Sequence, residues 1–170
     1  MKALHKNWTE HSVARNQIVH GKIVRHCMFL MDEIAIAWLV ESGRSEVSDE
    51  YHMNWQQVLD SMEVLTQLRI TIQDYHCPES RARINYYCDK MIRKLNQLSF
   101  VCPLSMGSPA GTTAMHSLTE ITSSHDQILS EEEFYDLTSD ISLLISQTYD
   151  QILCDMTKQL YQPLPNLVTN

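Results

Sequence analysis

Glycine and proline are scarce in this chain, at four and five of 170 residues, so little in it breaks a helix. Positive charge is also short: 13 lysines and arginines stand against 21 acids, a formal net charge of -8. That balance disfavours a broad grip on nucleic-acid phosphates, and it disfavours acidic partners and anionic membranes as well. Long apolar runs are missing. The most apolar stretch, Cys27 to Val40, is interrupted by Asp32 and Glu33 and is too short to span a bilayer. The five cysteines are an odd number without a C-x-x-C pair, and no secretory apolar segment follows Met1. Reduced thiols in a cytoplasmic protein are the expectation.

The chain does hold apolar residues at helical spacing. From Ser12 to Leu98 the pattern is broken only at Glu41-Ser42-Gly43-Arg44-Ser45 and at Cys77-Pro78, which predicts three long helices. The first runs from about Thr9 or Ser12 to Glu41, with Val13, Val19, Ile23, Cys27, Leu30, Ile34 and Trp38 as its apolar stripe. Gly43 suits the left-handed residue just past its end. Ser48 is the expected N-cap of the second helix, whose stripe is Tyr51, Trp55, Val58, Met62, Leu65, Leu68, Ile72 and Tyr75. Trp38 and Trp55 are expected near one another in the core. Pro78 opens the third, carried by Ile84, Tyr87, Met91, Leu95 and Leu98 and stopping before Pro103.

Residues 101–113 hold two glycines and two prolines and read as the main loop, followed by a short helix from about Ala114 to Ile121. Ser130-Glu131-Glu132-Glu133 is a capping box for a last long helix carried by Phe134, Leu137, Ile141, Leu144, Thr148, Ile152 and Met156. Helices of this length need partners along their length. The expected fold is all-α, an antiparallel up-and-down bundle of four long helices plus one short helix, in a single domain over residues 1–170.

Chemistry is less legible than fold. No H-x-x-x-H or E-x-x-H pair is present, and His20 and His26, six apart on a helix, point to separated sides, so no metal site and no cofactor is expected. No G-x-S-x-G elbow and no lysine-bearing phosphate loop occurs. Arg15-Asn16-Gln17-Ile18-Val19-His20-Gly21 resembles the R-x4-6-H signature of HEPN ribonucleases. That resemblance implies a metal-independent ribonuclease in which His20 moves a proton and Arg15 contacts the scissile phosphate across a dimer.

A second resemblance covers residues 26–98. Asp32-Glu33-Ile34-Ala35-Ile36-Ala37-Trp38-Leu39-Val40-Glu41-Ser42-Gly43 is similar to the end of the first helix of nitrate- and nitrite-sensing (NIT-type) bundles. Leu65-Thr66-Gln67-Leu68-Arg69 resembles that family's L-x-x-L-R element, and Tyr86-Tyr87, Met91-Ile92 and Leu95 resemble its Y-x-x-L-I-x-x-L-L helix. The family's Glu-Arg-Gly triplet is here Asp32-Glu33-Ile34, which leaves Arg69 as the matched arginine. The resemblance implies a sensory bundle with Arg69 at a ligand site. The expected function is a non-catalytic regulatory or sensory module that binds a small ligand between helices or a protein partner on a helical face, as a homodimer. An adaptor or chaperone-like interaction bundle and the ribonuclease are the alternatives.

Overall fold

The computed structural model describes residues 8–72, 78–123 and 129–161, and these are all helical or short connections, with no strand among them. After a single 3-10 turn at Trp8–Glu10 come six helices: α1 (Val13–Glu41), α2 (Ser45–Ile72), α3 (Pro78–Val101), α4 (Pro103–Met106), α5 (Pro109–Ser123) and α6 (Glu131–Tyr161). Four are long, as the spacing predicts. Helix α2 packs against α1, α3 and α6, while α5 covers α3 and α6. The core is one cluster drawn from α1, α2, α3, α5 and α6.

Local chemistry sets the ends. Ser12 caps α1 through its hydroxyl, which accepts from the Arg15 N–H at 3.3 Å. At the other end Gly43 sits at φ 67, the Gly43 N–H donates to the Val40 carbonyl, and the Arg44 N–H donates to the Leu39 carbonyl. These two bonds form a Schellman turn, which satisfies carbonyls that the helix leaves without partners. The capping box at Ser130 forms in full: the Glu133 N–H donates to Ser130 Oγ at 3.2 Å, and the Ser130 N–H donates to the Glu133 carboxylate at 2.7 Å.

Three expectations are corrected. Ser48 does not start α2, because the turn at Gly43 lets the helix begin at Ser45, with the Val47 N–H already donating to the Arg44 carbonyl. Residues 101–113 are mostly helical: Pro103 and Pro109 each occupy the first position of a helix, where a missing N–H costs nothing. The short helix after them is accordingly longer than Ala114 to Ile121. Gly111 permits the tight corner, since a Cβ there would lie 2.3 Å from the Met106 carbonyl oxygen.

The third correction concerns α1. Its buried residues are Met28, Asp32, Ala35 and Leu39, whereas Ile23, Leu30, Ile34 and Trp38 of the expected stripe are exposed, Ile34 by 61%. The helix is apolar on more than one face, so its spacing alone does not choose the face that meets α2. Trp55 is buried as expected, yet its ring partner is Phe29 at 5.3 Å rather than Trp38. The stripes of α2, α3 and α6 are inside as read, with Met62, Ile72 and Tyr87 partly buried against the core and Tyr75 outside the described residues. Each fully buried leucine among them, such as Leu68, Leu95 or Leu144, contributes about 1.5–3 kcal/mol.

Candidate ligand cleft

Helix α1 approaches α2 closely at Gly21, where a Cβ would meet Thr66 Cγ2 at 2.8 Å. Thr66 is held by its own hydroxyl, which donates to the Met62 carbonyl at 2.9 Å. This crossing brings the first third of α1 alongside the end of α2. With the first turns of α6 they enclose a cleft of about 760 Å³, lined by Val13, Asn16, Gln17 and His20 from α1, Arg69 and Ile72 from α2, and Glu131, Glu132, Phe134, Tyr135, Thr138 and Ser139 from α6. A second cavity of about 290 Å³ continues between α1 and α2, and Gln17, His20 and Arg69 line both.

Arg69 is half-buried at that junction, and its Nη2 donates to the Thr138 carbonyl at 2.9 Å. Burial lowers its pKa from the ordinary value, and the nearby Tyr135 phenol opposes that shift. A guanidinium carries five N–H donors in a planar fork, so one bond to a carbonyl leaves capacity for an anion or a carbonyl oxygen of a ligand. Glu131 and Glu132 of the first turn of α6 stand at the same cleft. The lining thus presents a cation and an imidazole on one side and carboxylates on the other.

The candidate residues read from sequence divide accordingly. His20 and Arg69 meet at one cleft, although they were singled out for different chemistries. Arg15 lies on the exposed surface, and five residues along a helix separate it from His20 by roughly 140°. No group of three His, Cys, Asp or Glu side chains among the described residues is arranged to hold a metal ion. Cys27 and Cys154 are exposed free thiols, and Cys88 and Cys102 are buried ones. Cys77 lies outside the described residues.

A polar cluster escaped the sequence reading. Asp32 of α1 is buried and accepts from His52 Nδ1 at 3.4 Å, while His52 Nε2 accepts from the Gln56 side-chain amide at 3.1 Å. The His52 ring stacks on Trp55 with centroids 5.4 Å apart. Nearby, the Tyr51 and Tyr149 hydroxyls are 3.4 Å apart and buried, joining α2 to α6. Burial raises the pKa of both phenols, and the Asp32 charge adds to the effect. The signal was present: Asp32 stands at helical spacing with Met28, Ala35 and Leu39, so it belongs to the inward face. No helix among the described residues is long and apolar enough to cross a membrane. Compared with protein-family models, curated proteins and solved structures, the chain finds no match.

Proposed function

We propose that this chain is a non-catalytic regulatory or sensory module, an up-and-down bundle of its four long helices, that binds a small anion or anionic metabolite in the cleft between α1, α2 and α6. The observation that carries the reading is the place of Arg69: a half-buried guanidinium at the junction of two cavities, bound on one side by Thr138. Charge-assisted bonds to an anion are strong where water is partly excluded, and the side-chain amides of Asn16 and Gln17 add neutral donors in the same lining. His20 adds a second polar contact, and Glu131 and Glu132 select against ligands carrying excess negative charge at the mouth. The NIT-type likeness points the same way, since Arg69 is the arginine it matches.

The test is a thermal-shift panel of small anions, nitrate and nitrite included, and of carboxylate metabolites. A rise in melting temperature with one class, lost in Arg69→Ala and retained in Arg15→Ala, supports the reading. Flat profiles across the panel overturn it. A second reading, docking of a protein on a helical face, is favoured by the exposed apolar residues of α1.

A further inference from the structure

Helix α1 touches the rest of the molecule mainly through α2, and its outer side is left apolar. Ile23, Cys27, Leu30 and Ile34 recur at intervals of four, three and four, the spacing of a helix seam that meets another helix. Met31 and Trp38 flank them, and every one of these six is exposed. The seam from Ile23 to Trp38 is about 22 Å long at 1.5 Å per residue.

Charge on α1 is segregated by sign. Arg15, Lys22 and Arg25 lie in its first half with no acid among them, and Asp32, Glu33 and Glu41 lie in its second half with no base. This order opposes the helix dipole, which favours acids at the N-terminus and bases at the C-terminus. Within the bundle only part of it is compensated: Arg25 pairs with Glu63, while Asp32 accepts a hydrogen bond from His52. Lys22, Glu33 and Glu41 remain on the exposed side.

We infer that α1 is the interface of a homodimer in which two copies of the helix run antiparallel across a two-fold axis between Cys27 and Leu30. That orientation sets the basic half of each copy against the acidic half of the other and opposes the two dipoles. Layers of Cys27 on Leu30 and Ile23 on Ile34 close the seam, with Lys22 and His26 on the flank nearest Glu33 of the other copy. A parallel pair sets basic half alongside basic half and acidic half alongside acidic half, which is repulsive. The surface is self-complementary, as a two-fold interface requires. It begins beyond the cleft-lining residues Val13 to His20 and does not rest on the ligand reading.

Sedimentation velocity of the full chain across a concentration series tests this, with far-UV circular dichroism as the check on folding. The wild-type chain is expected to dimerise, and Ile34→Asp to be monomeric with unchanged helicity; Leu30→Gln gives the same reading at a second exposed site. Lys22→Glu and Glu33→Lys are each expected to weaken the dimer at least about tenfold, and the double reversal to restore it. A wild-type chain that stays monomeric, or an Ile34→Asp chain that stays dimeric, overturns the interface. Single reversals without effect, or a double reversal that does not recover, overturn the antiparallel orientation.

Discussion

The Arg69 guanidinium donates to the main-chain carbonyl of Thr138 at 2.9 Å, tying the last turn of α2 to the second turn of α6 across the cleft. This bond gives Arg69 a structural duty besides any ligand contact. Arg69→Ala is expected to lose about 1–3 kcal/mol in urea unfolding, since hydrogen bonds from charged donors are stronger than neutral ones. Arg69→Met keeps the apolar stem and loses less. A loss shared equally by both variants would show that the guanidinium, not the packing of its stem, holds α2 to α6. Ligand shifts must therefore be compared with each variant's own unliganded melting temperature.

At the corner between α4 and α5, Gly111 is buried against the chain it follows. Its Cβ position is occupied by backbone, 2.3 Å from the Met106 carbonyl oxygen and 2.9 Å from that of Ser105. Backbone cannot move aside as a flexible side chain would, so Gly111→Ala is expected to destabilise by about 1–3 kcal/mol despite alanine's better helix propensity. Gly107→Ala is expected to be milder, because its nearest neighbour lies at 3.2 Å. Thermal unfolding of the two variants gives the comparison, and equal melting temperatures would contradict it.

Three buried groups predict weakness in alkali. Burial pushes the Cys88 thiol up to about 12 from an ordinary 9.0, and it raises the Tyr51 and Tyr149 phenols too. Above pH 9 the unfolded chain releases protons that the folded chain retains. Stability therefore falls as pH rises, by up to about 1.4 kcal/mol per unit for each such group, and for Cys88 until about pH 12. Urea midpoints between pH 8 and 11 measure the slope. Cys88→Ala is expected to remove the part that begins near pH 9; an unchanged slope would assign the effect to the phenols.

The expectations that succeeded share a physical reason. In α6, Phe134, Leu137, Ile141, Leu144, Thr148, Ile152 and Met156 recur at threes and fours and all are buried, so spacing and burial coincide. Ser130 and Glu133 act within one turn, and local chemistry of that kind does not depend on the rest of the fold. Residues 101–113 misled because proline and glycine mark helix starts as well as loops. The cleft was half-legible: Arg69 and His20 stood out, but their meeting depends on how closely Gly21 lets α1 approach Thr66, which no local pattern encodes. Helix α1 was misread because its apolar residues nearly encircle it.

That ambiguity yields a direct contrast on a single helix. Leu39 is fully buried in the helical core, while Ile34, five residues earlier, is 61% exposed. Leu39→Ala is expected to cost about 2–5 kcal/mol, the price of lost transfer energy plus a cavity. Ile34→Ala is expected to stay within about 0.5 kcal/mol when unfolding is followed at concentrations too low for self-association, since it opens no cavity in the core. Raising the protein concentration separates the two further: stability of the wild-type chain then rises by mass action, and Ile34→Ala loses that gain while Leu39→Ala keeps it. A concentration-independent midpoint in the wild type would leave Ile34 as ordinary exposed surface. A large loss for Ile34→Ala at high dilution would place it inside the monomer's own core.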